Sequence, residues 1–274
     1  MKIAALQMVS TPDVARNLEA ARRLIGKAAA QGAQLVALPE YFCLMGRNDL
    51  DKLEVAEPAL GEDGAGGGPI QQALAEAACA FGVWVIGGTL PLRCSDPQRV
   101  RNSNLVFAPD GSLAARYDKM HLFRYDNGRE RYDEGRVLEA GGVLVAVQCG
   151  ALRVGLSVCY DLRFPELYRA LMKSPCDLIA VPSAFTYTTG SAHWELLLRA
   201  RAVENQAYVI APAQGGTHEN GRRTWGHSMI VDPWGEVLGV LPEGEGMVIA
   251  DVDSARLASV RRQLPALEHR RLGL

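Results

Sequence analysis

An α/β fold in a single domain is what this chain predicts, and three observations carry the prediction. Short β-branched runs alternate with stretches of helical apolar periodicity, turn residues punctuate them, and no linker or compositional break divides the 274 residues. The first strand-like run is Ile3 to Val9 (IAALQMV). Thr11-Pro12 then reads as an N-cap with proline in the first turn. Val14, Leu18, Ala21, Leu24, Ile25 and Ala28 recur at helical spacing, and Gly32 is a natural stop. Ala33 to Glu40 (AQLVALPE) reads as the next strand. A Gly/Pro-rich loop from Gly61 to Pro69, read as a surface insertion, precedes a helix over Ile70 to Phe81, and VWVIGGTL (Val83 to Leu90) follows as a strand.

The second half repeats the alternation. Asn104 to Tyr117 reads as a hairpin about Pro109-Asp110-Gly111. Leu152 to Val158 (LRVGLSV) is a buried strand that stops at Cys159, and PELYRALMK from Pro165 is helical. CDLIAVPSAF (Cys176 to Phe185), a long helix from His193 to about Gln206, and AYVIAPAQ (Ala207 to Gln214) follow. A hairpin at Asp232-Pro233-Trp234-Gly235 and the run GMVIADVD (Gly246 to Asp253) close the strand set, leaving a basic tail.

Composition excludes several function classes. At 48% hydrophobic and 22% charged residues the chain has an ordinary globular make-up. A net charge of −2 gives no reason to expect nucleic acid or an anionic membrane as partner. No signal-like pattern opens the chain, and no apolar run approaches the roughly 20 residues of a membrane span, so a cytoplasmic location is expected. Cys43, Cys79, Cys94, Cys149, Cys159 and Cys176 show no paired spacing, which argues against a disulfide framework and a zinc site.

In open α/β sheets, ligand sites lie beyond the carboxyl ends of the strands. Glu40, Lys119, Cys159, Ser183 and Gln214 all fall at or just past such ends. Amide cleavage without a metal needs a nucleophile, a proton shuttle and a stabiliser for the oxyanion. Cys159 can attack once its proton is removed. Glu40, between LVALP and Tyr41-Phe42, is placed to take that proton and return it to the leaving amine. Lys119 can face the oxyanion, with the Tyr160 backbone N–H as second donor. Glu134, in RERYDEG, is either a carboxylate supporting Lys119 or part of a solvated charged loop. His121, close to Lys119, is the rival base in a Cys–His pair. GLSVC begins like a G-x-S-x-G elbow but ends in cysteine, so Ser157 is a weak nucleophile candidate. Asp118 and Asp161 lack the companions a metal site needs.

Three blocks, LPEYF around Glu40, YDKMHLF around Lys119 and GLSVCYDLRFPELYR around Cys159, resemble the catalytic blocks of the nitrilase superfamily of carbon–nitrogen hydrolases. The likeness runs from about residue 2 to residue 253. It implies a four-layer α-β-β-α sandwich over residues 1–253 and a Glu40–Lys119–Cys159 triad with Glu134 as fourth member. No metal or organic cofactor is implied. Homodimers or larger assemblies are implied too, with the tail 254–274 packing at a subunit interface. Pro182 to Gln214, Gly226 to Gly235 and the tail are similar to the branch related to the Nit half of NitFhit, amidases acting on deaminated glutathione. Arg124 departs from that pattern, since relatives often carry an acid there, and the loop to Arg136 is arginine-rich. A substrate with several carboxylates needs arginines. Arg163 is the first candidate, with Arg47 and Arg129 behind it; its alternative is a salt bridge with Glu166 or a partner subunit. Phe185 and Thr186 are expected to wall the pocket. His193, Trp194, Arg199, Arg201 and Glu204 read as architecture.

Overall fold

Two β-sheets stack face to face with helices on their outer sides, in the order helix, sheet, sheet, helix. The computed structural model describes residues 1–61 and 66–272. The first half runs β1 (Lys2–Gln7), α1 (Val14–Ala30), β2 (Leu35–Ala37), α2 (Asp51–Glu54), α3 (Pro69–Phe81), β3 (Trp84–Ile86), β4 (Leu90–Arg93), β5 (Val100–Phe107) and β6 (Leu113–Asp118). A separate hairpin, β7 (Arg124–Asp126) and β8 (Arg131–Asp133), follows. Next come β9 (Ala146–Cys149), β10 (Leu152–Leu156), α4 (Pro165–Leu171), β11 (Leu178–Ala180), α5 (Tyr187–Asn205) and β12 (Tyr208–Ala211). The chain ends with β13 (Gly215–Thr217), β14 (Arg223–Trp225), β15 (Ser228–Val231), β16 (Val237–Leu241), β17 (Gly246–Asp251) and α6 (Ser254–Gln263).

One sheet has the order β17-β1-β2-β3-β5-β4, with β6 on β5, and the other β16-β15-β12-β11-β10-β9. Period-two alternation builds the layers. Ile3 and Ala5 of β1 face the core between the sheets, which Val154 and Leu156 of β10 also enter. Ala4 and Leu6 point the other way, against Leu24 of α1 and Leu74 of α3. On the far side, Leu167 and Leu171 of α4 and Leu198 of α5 cover the second sheet.

Several local expectations are corrected by side-chain chemistry. Asp13, not Thr11, caps α1, its Oδ1 accepting from Arg16 N at 3.1 Å, while Thr11 Oγ1 accepts from the Asp13 N–H at 3.1 Å and shapes the preceding turn. The long helix starts at Tyr187 rather than His193 because Thr186 caps it, its Oγ1 accepting from Thr189 N at 3.2 Å. Its polar, glycine-containing first turns carry little apolar signal; they are held by packing instead. A Cβ at Gly190 would lie 2.3 Å from Cβ of Trp225. The run VWVIGGTL divides into β3 and β4 at Gly87-Gly88, and β2 ends before Pro39. Part of the Gly61 to Pro69 loop, residues 62–65, lies outside the described residues.

Two close approaches aim the ends of strands. Gly88 has φ +59°, and a Cβ there would stand 2.1 Å from the Pro39 carbonyl oxygen, so only glycine lets this turn support the segment leading to Glu40. A Cβ at Gly141 would likewise stand 2.1 Å from the Asp118 carbonyl oxygen, just before Lys119. At the C-terminus, α6 buries Leu257 and Val260, and Arg261 donates to the carbonyls of Gln206 and Cys176. Among the described residues no helix is long and apolar enough to cross a membrane.

Candidate active site

Residues just past the ends of β2, β6 and β10 converge on one buried point. The Lys119 ammonium, with no exposed side-chain surface, donates to Glu40 Oε1 at 2.8 Å and to both Glu134 oxygens at 3.0 and 2.8 Å. Glu40 is equally buried. Its Oε1 also accepts from Asn102 Nδ2 at 2.9 Å, and its Oε2 accepts the Ala184 N–H at 3.0 Å. Glu134, on a 3₁₀ turn after β8, accepts from the Tyr41 hydroxyl at 2.7 Å and from the Phe123 N–H at 2.7 Å. Every carboxylate oxygen here has a donor, which is the condition for burying such a cluster.

Cys159 opens a five-residue 3₁₀ turn (Cys159–Arg163) and has φ +49°, a left-handed conformation that non-glycine residues rarely adopt. Such strain costs about 1–3 kcal/mol and persists only where the surroundings over-determine it. They do so here. Cys159 N donates to Pro182 O at 2.9 Å, and Asp161 Oδ2 accepts from Val158 N at 2.9 Å and the Tyr117 hydroxyl at 2.7 Å. Arg201 clamps the Leu162 carbonyl with Nε at 3.0 Å and Nη2 at 2.7 Å.

The other candidates have definite places. His121 Nδ1 faces Asp161 Oδ1 at 2.7 Å, and its ring stacks on Phe164 with centroids 3.7 Å apart. Asp161 is therefore the hub of the nucleophile turn rather than a metal ligand, and among the described residues no cluster of three His, Cys, Asp or Glu could hold a metal ion. Ser157 Oγ donates to Ala180 O at 2.8 Å and accepts from Tyr168 at 3.0 Å, a structural engagement. Ser183 bonds the Val181 carbonyl, and Gln214 Nε2 braces the Glu40 carbonyl at 3.1 Å.

The free space before Cys159 is only about 10 Å³, enclosed by Phe123, Tyr160, Arg163, Phe185, Thr186 and Arg222. That is roughly room for one water. Arg163 lies over the rings of Tyr160 and Phe185 at 5.8 and 5.4 Å and faces His193 Nδ1 at 3.3 Å; among the described residues it has no ion pair with Glu166. Arg129 is exposed in the β7–β8 turn, and Arg47 lines a neighbouring cavity instead.

Residues 2–262 match the model of the family described as carbon-nitrogen hydrolase. The chain belongs to that family. It is 41% identical over 271 residues to a Synechocystis protein named deaminated glutathione amidase, covering 97% of each. It is 38% identical over 271 residues to a Danio rerio omega-amidase, covering 98% of this chain and 94% of that one. The crystal structure of a Saccharomyces cerevisiae nitrilase-superfamily member superposes with a TM-score of 0.89 at 29% identity, covering 99% of this chain and 97% of that one.

Electrostatics in this carbon–nitrogen hydrolase follow from burial and charge proximity. Burial, then the Glu40 carboxylate, push the Cys159 thiol well above its ordinary pKa, and Lys119 offsets only part of this. Burial and the neighbouring carboxylate thus favour the neutral thiol over the thiolate. Burial disfavours the Lys119 ammonium, but the Glu134 and Glu40 carboxylates outweigh it and hold the group above the usual lysine range. Glu134 moves the other way: burial opposes its charge, yet Lys119 and the bonds from Phe123 and Tyr41 hold it low. Asn102, Ala184, Tyr41 and Arg222 were not marked by the sequence. The only local hint was polar residues inside the β5 run VRNSNLVF.

A free glutamate titrates at about 4.3. Because folding depresses Glu134, its stabilisation is complete above that pH and is lost as pH falls through the lower folded value. Urea unfolding between about pH 7 and pH 3 is expected to show a flatter acid limb in Glu134→Gln, with about 3–5 kcal/mol lost near neutrality from the broken buried pair. An unchanged acid slope would remove this role.

Proposed function

We propose that this enzyme hydrolyses the amide of the 2-oxoglutaramate unit in deaminated glutathione, giving 2-oxoglutarate and cysteinylglycine through a thioester on Cys159. The observation that carries the reading is the meeting of a buried thiol, a fully bonded buried carboxylate and a buried ammonium at one pocket. Glu40 takes the Cys159 proton as sulfur attacks the amide carbon. The oxyanion is stabilised by Lys119 Nζ and the Tyr160 N–H. Glu40 then protonates the departing amine, the C–N bond breaks, and cysteinylglycine leaves. Water, deprotonated by Glu40, attacks the thioester and releases 2-oxoglutarate. Glu134 keeps Lys119 charged and oriented. Arg163, on the pocket wall with Phe185 and Thr186, binds the 2-oxo acid carboxylate. Nothing in this scheme calls for a metal or an organic cofactor.

The relatives named for deaminated glutathione support this substrate, and the omega-amidase relative supports the second reading, in which free 2-oxoglutaramate or 2-oxosuccinamate is preferred. A substrate panel followed by ammonia and cysteinylglycine release decides between them. Deaminated glutathione is expected to show the highest kcat/KM; a preference for 2-oxoglutaramate would transfer the assignment to the second reading.

The triad has its own test, which also addresses a silent binding protein with this fold. Cys159→Ala is expected to lower kcat by roughly four orders of magnitude or more, His121→Ala by no more than about tenfold, and Glu40→Ala to lose turnover together with Cys159 acylation, read by intact mass. Loss of His121 as severe as loss of Cys159 in a folded protein would install a Cys–His mechanism. A wild type that no panel substrate acylates would favour the binding role.

Six free cysteines suit a reducing cytoplasm. We further propose a homodimer, formed across α4, α5 and the C-terminal residues, without nucleic-acid or membrane partners. Leu196 and Val203 of α5 are 68% and 49% exposed, and Trp234 of the β15–β16 hairpin is 54% exposed. Light scattering is expected to give twice the chain mass, whereas a monomer at micromolar concentration would end this proposal.

A further inference from the structure

A second cavity of about 430 Å³ adjoins the closed pocket, and Arg222 lines both. This volume falls in the range of about 300–1,000 Å³ typical of small-molecule sites, whereas the space at the thiol cannot take a dipeptide. Four cations border the second cavity: Arg47, Lys52, Arg131 and Arg222. Asp49 is the one acid on its lining and is engaged by Lys52 at 3.0 Å.

Arg222 is the unusual member. Its guanidinium lies over the Tyr132 ring at 5.2 Å, and one Nη donates to the Ala184 carbonyl at 3.2 Å. Its Nε is buried and meets no acceptor among the described residues. The same residues offer it no carboxylate partner. Arg131 reaches only Asp126, at 3.7 Å on an exposed surface. A guanidinium placed over an aromatic ring, with an unanswered buried N–H, is prepared for an acceptor from a ligand.

Resting on the proposed hydrolysis of deaminated glutathione, the chemistry of that substrate indicates the acceptor. The molecule carries one carboxylate on the acyl side of the scissile amide and another at the end of the cysteinylglycine leaving group. Arg163 stands beside Cys159 for the first. We infer that the second cavity is the leaving-group subsite, in which Arg222, supported by Arg47 and Arg131, binds the terminal carboxylate. In this arrangement Arg222 determines specificity: it separates peptide-like amides, anionic at both ends, from small ω-amides whose leaving group is ammonia. Only the acyl head enters the pocket at Cys159, while the tail stays in the open cavity.

The test compares kcat/KM for deaminated glutathione, its C-terminal amide and 2-oxoglutaramate. The proteins are wild type, Arg222→Gln, Arg222→Lys and the double variant Arg47→Gln/Arg131→Gln. Wild type is expected to prefer the free carboxylate over the C-terminal amide by about tenfold or more, the scale of one charge-assisted contact. Arg222→Gln should erase that preference and lose about tenfold more activity on deaminated glutathione than on 2-oxoglutaramate. Arg222→Lys should keep part of the preference, and the double variant should weaken it. Equal losses on all three substrates would reduce Arg222 to a brace for Ala184 and overturn the subsite. So would a wild type that hydrolyses deaminated glutathione and its C-terminal amide equally, although the substrate assignment would then survive. A wild type active on 2-oxoglutaramate but not on deaminated glutathione would end both.

Discussion

The Lys119 ammonium, shut away from water between two carboxylates, is the interaction on which the rest of this molecule depends. A lone buried charge is costly enough that the group would sooner give up its proton. Glu40 and Glu134 reverse that preference, and their remaining lone pairs must then be satisfied by Asn102, Ala184, Phe123 and Tyr41. Those donors come from β5, from the segment after β11 and from the turns after β2 and β6. Both sheets must therefore be assembled for the charge to be tolerable. Gly88 and Gly141 serve the same end by letting backbone pass at van der Waals limits behind Glu40 and Lys119.

The nucleophile turn is a second constraint linked to the first. Cys159 occupies a left-handed conformation that neighbours must enforce, and Asp161 and Arg201 hold the turn through hydrogen bonds to its backbone. Asp161 ties the turn to Tyr117 and His121, which flank Lys119 in sequence, so the strand carrying the ammonium also holds the thiol in place. Burial, and then the Glu40 carboxylate, raise the pKa of that thiol. In the proposed scheme activation comes from the Glu40 carboxylate rather than from the short 3₁₀ turn, whose N-terminal dipole is small.

How much of the site could be read in advance followed from how local its signals are. Glu40, Lys119 and Cys159 each follow a strand-like run, so their shared position at strand ends was visible in the chain. Glu134 was ambiguous because RERYDEG looks the same whether solvated or folded over a lysine. Arg222 and Asn102 carried no such mark. Arg222 belongs to the segment before β14, far in sequence from the pocket it lines, and Asn102 is one polar residue among several in β5. The start of α5 escaped for a related reason: its first turns are fixed by the Thr186 cap and by Trp225 against Gly190, contacts without apolar periodicity.

Alternation of short strands with helices, turn residues and three motif blocks suffice to specify an α/β layering, a family and the chemical types at the centre of the site. These are properties of neighbouring residues, and local propensity and hydrophobic period encode them directly. Tertiary structure alone decided that the thiol rests in a space of about 10 Å³, that Asp161 is a brace and that one arginine joins two cavities. Those outcomes depend on distances between segments far apart in the chain, which only the packing of two sheets establishes.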